Sequence, residues 1–428
     1  MEISLFLVFI FLCGWSINSS ASAKQIQSFN TNETKLTDLE QLDFCELLNA
    51  ANTNEEFSLA AADVFKRKFA NKPILMKQSI NVSNNEALVH DRYISISNHS
   101  IAVRVLEHFG SHILQLGIDN EFHENELKQL IGLIDQKCSN LTLLGIESRN
   151  WNILDDVQRR FNTVEAIAFK GKYNKLGSKT LNLNEMFPNV HNLTLGDIEL
   201  KDVDDSVTNI PNLRYLQLIF ANPNISDRDV FKNFIEKNPQ IKELTLKNTN
   251  TSFVKFASEH LLNLDVLTLC PIKYVDYTGE IHFKNVKKFS LIGLDGTDRF
   301  ENITFDDLEE FHCDPHGFPI WLDFIKPHRN LKKLEIVKGS SISDNDLILL
   351  SERATNLIEA SIPCDSYVKV ETLVRLLEES KHLKKLRLND YGFPQSAGKL
   401  DALKARIEDK WTITLNERSS YYEIERKN

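Results

Sequence analysis

The hexad Leu331-Lys332-Lys333-Leu334-Glu335-Ile336 decides the fold. Its apolar side chains stand at the first, fourth and sixth positions. The last two alternate with a glutamate, the period of a short strand with one face buried. Alone, the unit cannot hold itself: three large apolar side chains contribute roughly 1.5–3 kcal/mol apiece. Ordering its backbone costs about 1–2 kcal/mol per residue. The unit must therefore recur and stack.

It recurs upstream as Ile113/Leu116/Ile118, Leu141/Leu144/Ile146, Val164/Ile167/Phe169, Val190/Leu193/Leu195, Leu213/Leu216/Leu218 and Ile241/Leu244/Leu246. Leu264/Leu267/Leu269, Val286/Phe289/Leu291 and Leu308/Phe311/Cys313 follow, and beyond the hexad come Leu357/Ala360/Ile362 and Leu383/Leu386/Leu388. Successive starts lie 22 to 28 residues apart, the spacing of leucine-rich repeats. Each strand sends its second and third apolar residues inward, and neighbouring strands about 4.8 Å apart form one curved parallel sheet. The expected fold is an α/β leucine-rich-repeat solenoid over 111–390, with the sheet on the concave face and mostly helical returns on the convex side.

Two returns carry a helix-start signal, Ile225-Ser226-Asp227-Arg228-Asp229 and Ile342-Ser343-Asp344-Asn345-Asp346. Each offers a Ser cap with an acidic residue three positions on. Lys369 to Lys381 is a third helical return, with Leu373, Leu376 and Leu377 on one face. Over 391–428 the sequence reads as a C-terminal cap and tail: a closing helix from Lys399 to Asp409, then a final strand from Trp411 to Leu415.

The 428 residues are 42% hydrophobic and carry a net charge of −10. That acidic balance argues against nucleic acid as a partner. Residues 1–23 read as a signal peptide, with an apolar run from Ile3 to Trp15 too short to span a bilayer and Ala21-Ser22-Ala23 at the cleavage point. A linker, 24–35, follows. The mature chain is expected to be secreted or held in the secretory lumen, with no membrane association after cleavage. Asn32, Asn81, Asn98, Asn140, Asn192, Asn224, Asn250 and Asn302 head glycosylation sequons, so a glycoprotein is expected. Cys270, Cys313 and Cys364 fall two repeats apart, about 10 Å between strands, beyond disulfide reach. Buried free thiols are the expected state.

No catalytic, cofactor-binding or metal motif is present; the sequence lacks a phosphate-cradling Gly loop, a G-x-S-x-G elbow and an H-E-x-x-H pair. The local group His312-Cys313-Asp314-Pro315-His316 is not a metal site, because His312 and Cys313 point to opposite faces. No enzyme and no cofactor are expected. Function then rests on the outward residues of the concave face. Lys288, Glu310, Lys333, Glu359 and Lys385 alternate in sign and form a cross-strand charge ladder. Tyr215, Gln217, Ile219, Thr245, Val266 and Thr268 make a less charged patch with an aromatic anchor, the expected contact residues for a protein ligand of unknown identity.

Residues 36–74 do not fit the repeat. Leu36, Leu39, Leu42, Phe44, Leu47 and Leu48, then Leu59, Val64, Phe65 and Phe69, outline two or three short helices, and Ala62 to Phe69 looks like the end of a helical box. An irregular first repeat, 75–110, follows, with a strand at Tyr93–Ile96 and a helix at Ile101–Phe109. With the repeats behind it, this segment resembles the insect F-box/leucine-rich-repeat family over most of 36–416. The resemblance implies a box that docks on the adaptor of a cullin-type ubiquitin ligase, and repeats that select the substrate. Leu36 is followed by Thr37 where the family has Leu-Pro. Two roles stand open: an N-terminal cap on a secreted binding protein, or a working box on a cytoplasmic ligase subunit.

Overall fold

The computed structural model describes residues 36–77, 87–119, 121–148, 151–154, 157, 160–171, 183–196, 209–225, 229–270, 272–273, 279–294, 302–315, 328, 330–337, 342–365, 367–391, 398–416 and 421–427. The signal peptide, the linker, Asn32, Asn81, Ser226 and His316 lie outside them. Two compact units divide the chain, 1–221 and 222–428.

The first unit opens with a 3-10 turn, Leu36–Gln41, and helices α1 (Phe44–Ala51) and α2 (Glu55–Lys68). Asp43 caps α1 through a reciprocal pair with Glu46, and Asn54 accepts from the Phe57 N–H at the start of α2. These side chains satisfy amides that an α-helix leaves without partners. Three more helices follow: α3 (His99–Phe109), α4 (Glu124–Lys137) and the short α5 (Leu183–Met186). Phe44, Phe65, Phe69 and Phe109 form one aromatic cluster joining α1 and α2 to α3.

Eight strands follow the repeats of this unit: β1 (Ile74–Met76), β2 (Ala87–Val89), β3 (Ile94–Ile96), β4 (Gln115–Ile118), β5 (Leu143–Glu147), β6 (Ala166–Lys170), β7 (Asn192–Gly196) and β8 (Tyr215–Ile219). Their order is β2-β3-β1-β4-β5-β6-β7-β8, all parallel except β2. Leu116, Leu144, Ile167, Leu193 and Leu216 stand in one register rank, each buried to within 1%. The expected irregular repeat is entered differently. Ile74–Met76 lies directly beside β4, and Ile94–Ile96 one place further out, so a boundary between 74 and 75 cuts β1. All three β1 residues are buried, leaving no alternation to mark the strand.

In the second unit the strands are β9 (Glu243–Lys247), β10 (Thr249–Asn250), β11 (Val266–Leu269), β12 (Ile272–Lys273), β13 (Ile281–Phe283), β14 (Lys288–Leu294) and β15 (Ile303–Phe305). After them come β16 (Glu310–Pro315), β17 (Lys333–Ile336), β18 (Glu359–Asp365), β19 (Lys385–Tyr391), β20 (Trp411–Asn416) and β21 (Tyr421–Arg426). Strands β9, β11, β14, β16, β17, β18 and β19 are neighbours in that order, parallel and in register. All twelve apolar hexads of the two units thus end in described strands, as a leucine-rich-repeat solenoid requires.

Helical returns in this unit are α6 (Asp229–Lys237), α7 (Thr251–His260), α8 (Asp344–Arg353) and α9 (Val370–Glu379). Ser343 and Asp346 make the expected capping box on α8. Two returns depart from the helical expectation. Ile281–Phe283 and Ile303–Phe305 pair as parallel strands β13 and β15, and Phe283 stacks on Phe305 at 5.6 Å. Both lie in steps of 22 residues, the shortest in the array. The C-terminal end also differs. Helix α10 (Lys399–Ile407) and β20 form where expected, but β20 does not pair with the last repeat. The tail supplies β21, antiparallel to both β19 and β20, between them.

A feature absent from the sequence reading zips neighbouring coils. The side-chain amides of Asn140, Asn189 and Asn212 donate to the carbonyls of Ser111, Asn162 and Pro188 at 2.6, 2.7 and 3.0 Å. In the second unit Asn285 donates to the Leu262 carbonyl at 2.6 Å. Each Asn sits just before the first apolar residue of its hexad. There it satisfies a turn carbonyl one coil back.

Cys45, Cys138, Cys270, Cys313 and Cys364 are buried and outside any disulfide. Burial pushes the Cys270 thiol up to about 11. Burial, reinforced by Asp314, pushes Cys313 up to about 12.

Candidate protein-binding faces

The strand period fixes which side chains leave the core. In the second unit the outward rows are Glu243, Val266, Lys288, Glu310, Lys333, Glu359 and Lys385, and, two residues on, Thr245, Thr268, Ser290, His312, Glu335, Ser361 and Arg387. Lys288 pairs with Glu310 at 2.9 Å, as the charge ladder predicts. Lys385 does not take Glu359: it binds Glu423 and Glu425 of β21, each at 2.9 Å. Arg387 shares Glu423 at 3.0 Å. The Glu423 carboxyl is held below its usual range by the hydrogen bonds from Lys385 and Arg387, against an opposing effect of burial that ranks first among its influences.

His312 lies on this face, its Nδ1 3.4 Å from Glu335. The His312 hydrogen bond, acting against burial, holds the Glu335 carboxyl below the carboxylate norm. Cys313, one residue on, is buried in the core, so the two residues do point apart.

The six expected contact residues fall on the two units. Tyr215, Gln217 and Ile219 share β8 of the first, whereas Thr245 on β9 faces Thr268 on β11 of the second, with Val266 beside it. Tyr215, Val266 and Thr268 are partly exposed. Gln217, Ile219 and Thr245 are buried, at 1%, 6% and 9% exposure. Strand alternation gives the direction of a side chain, not what lies over it.

A groove of about 490 Å³ in the second unit escaped the sequence reading. Lys287, Glu309, Lys332 and Ile358, the residues just before the strands, line it together with Asp307, Asn330, Asn356 and His382 from the turns. Lys332 and Glu309 pair across it at 3.0 Å. The signal was available one position ahead of the outward row, where charged residues also recur.

One side-chain chain has the order of a nucleophile relay. The Ser58 hydroxyl donates to His108 Nδ1 at 2.9 Å, and His108 Nε2 donates to Asn52 Oδ1 at 3.0 Å. Burial holds the His108 imidazole below its ordinary value, with Glu107 opposing and Arg104 assisting. The neighbouring amides are spent: Phe57 N–H binds Asn54 Oδ1 and Ser58 N–H binds the Asn54 carbonyl. The network ties α1, α2 and α3 together. Among the described residues no group of three or more His, Cys, Asp or Glu is set to hold a metal, and no helix is long and apolar enough to cross a membrane.

Among the sequons, Asn250 is 1% exposed and caps α7 by accepting from the Phe253 N–H at 2.9 Å. That position has no room for a glycan in the folded chain.

No protein-family profile matches the chain, and no curated protein matches it. Among solved structures it is similar to the crystal structure of an internalin from Listeria monocytogenes, at 14% identity and a TM-score of 0.34. That match covers 68% of this chain and 79% of the internalin. The class defined by the strand ranks and returns described above is a leucine-rich-repeat protein.

Proposed function

We propose that the chain is a non-enzymatic binding protein of the secretory pathway, glycosylated and holding a protein ligand on its concave sheet. One observation carries the reading: within each described strand of the repeats the leucine ranks are spent on the core, whereas the side chains between them form outward rows of mixed apolar, polar and charged groups. Tyr215 in the first unit, and Val266 and Thr268 in the second, supply apolar and aromatic contact area there. The helical segment 36–74 acts in this reading as the cap of the first repeats, because its aromatic residues Phe44 and Phe65 face Phe109 of the same chain. The rival is a cytoplasmic F-box subunit that presents substrates to a cullin-type ubiquitin ligase, and it has the two helices α1 and α2 in its favour.

Expression of the full-length chain in insect cells separates the two. Protein in the medium that loses mass on deglycosylation supports the secretory reading. Unglycosylated cytosolic protein that retains Met1 and binds the ligase adaptor overturns it.

A further inference from the structure

Strand β21 covers the edge that the last repeat would leave open, and in doing so passes the opening on to β20. Among the described residues β20 pairs with β21 alone. Trp411-Thr412-Ile413-Thr414-Leu415-Asn416 holds no charge, no proline and no glycine, and its register with β21 is unbroken. Folded chains blunt such an edge with a lysine, a proline or a bulge, and close the end of a solenoid with a polar face. Here Thr412, Thr414 and Leu415 are exposed, Leu415 at 51%.

The hydrogen-bond phase tells which backbone groups leave the edge. The Arg426 N–H donates to the Lys384 carbonyl, just before β19, at 2.9 Å, and the Lys427 N–H to the Lys410 carbonyl, just before β20, at 2.8 Å. Successive residues of β21 therefore face β19 and β20 by turns, as antiparallel ladders require. Continued along the register, the bonded pairs between β20 and β21 are Thr412 with Glu425, Thr414 with Glu423 and Asn416 with Tyr421. The N–H and C=O groups of Trp411, Ile413 and Leu415 then point the other way, off the sheet.

That outward set is symmetric about Ile413. We propose that two copies of the chain pair antiparallel through β20, about a twofold axis at Ile413. Trp411 then lies opposite Leu415 of the second copy, Ile413 opposite its own counterpart, and each pair exchanges both bonds. A slip by two residues leaves one outward residue of each copy unbonded, and a slip by one breaks the phase. Only the centred register uses the whole set.

Charge agrees with a like partner. The chain carries −10, so two copies repel one another across their charged surface, and an uncharged strand is where they meet without that cost. Lys410 falls opposite Asn416 of the second copy, so no like charges face each other along the seam. A charged peptide would find no counter-charge there. The apolar ranks also run on: Leu386, Ile424 and Ile413 stand in one rank and Leu388, Tyr422 and Leu415 in the next, and the second copy extends both. A contact of this kind uses up both edges, so assembly stops at the dimer.

Sedimentation of the full chain, compared with the mass of a single chain, is the first test, and a concentration-dependent dimer is expected. Leu415→Pro removes an outward N–H and leaves the β21 ladder intact, because proline is tolerated where the N–H faces away from the sheet. It should weaken the dimer by on the order of tenfold or more, one hydrogen bond from each copy. Leu415→Lys, which sets a charge at the seam, should weaken it as well; circular dichroism checks that each variant folds. Ile413→Cys tests the axis. Bonded partners in an antiparallel pair stand about 5.5 Å apart between Cα atoms, within disulfide reach, so mild oxidation should link two copies through position 413. Glu359→Cys, exposed on β18, should not link. A monomer at every concentration, a larger oligomer, a dimer indifferent to both Leu415 variants, or Ile413→Cys linking no faster than Glu359→Cys would each overturn the proposal. None of these results depends on whether the protein reaches the medium, so failure here is distinct from failure of the secretory reading.

Discussion

The rings of Phe65 and Phe109 lie face to face, 4.5 Å between centroids and 7° from parallel. Both are fully buried. Phe65 belongs to the helical segment before the repeats and Phe109 to the helix after β3, so one stacked pair welds that segment to the first coils.

Replacing either ring by alanine removes a large buried side chain and leaves a cavity. Phe109→Ala should lower stability by about 3–5 kcal/mol, read as a drop in the urea midpoint. A box segment independent of the repeats would instead leave the main unfolding transition where it was.

His328 makes stability depend on pH. Burial pushes its imidazole down to about 4, partly offset by a backbone hydrogen bond with Phe305. The unfolded chain takes up this proton near pH 6.5, the folded chain only near 4. Between those values the unfolded state binds more protons, so stability must fall as the pH drops through the window. The slope for one proton is at most about 1.4 kcal/mol per pH unit. The difference between urea midpoints at pH 7 and pH 5 should shrink in His328→Leu, the remainder coming from His90, His108 and His112, which burial also holds below their ordinary value; an unaltered difference would contradict the assignment.

The thiols give a second chemical test. In a chain beginning at Lys24, Cys45, Cys138, Cys270, Cys313 and Cys364 are all buried and outside any disulfide. An aromatic disulfide reagent should titrate none of them rapidly in the native protein and all of them in denaturant. A shortfall in denaturant would reveal a disulfide that the fold does not contain.

Strand β21 closes the sheet through Lys385, Arg387 and Glu423. A chain ending after Asn416 loses β21 and leaves the β19 edge open, a template for pairing between molecules. Light scattering should detect oligomers and the melting temperature should fall. A monomer with unchanged melting would show that the tail is dispensable.

The repeat was legible because each inward position is filled by the same kind of side chain at the same offset, from Ile113 to Leu388. Strand β21 was not, since in Tyr421–Arg426 only Ile424 is buried, too little for a period. The extended returns did carry a signal, Ile281-His282-Phe283 and Ile303-Thr304-Phe305, each alternating, but so short that the helical expectation overrode it. For the contact residues, alternation assigns a direction along the strand and says nothing of the burial of Gln217 and Ile219. What lies over a sheet face comes from sequence-distant chain, and no local pattern encodes it.

The central claim is that each hexad turns its leucines inward and the intervening residues toward the open face. Single cysteines at Lys333, Leu334, Glu335 and Ile336, placed in a chain whose native thiols do not react, test it along one strand. Leu334 and Ile336 are 1% and 0% exposed, whereas Lys333 and Glu335 are partly open. Maleimide labelling of the folded protein should be fast at 333 and 335 and slow at 334 and 336. Uniform rates, or the inverse alternation, would contradict the fold and the binding face together.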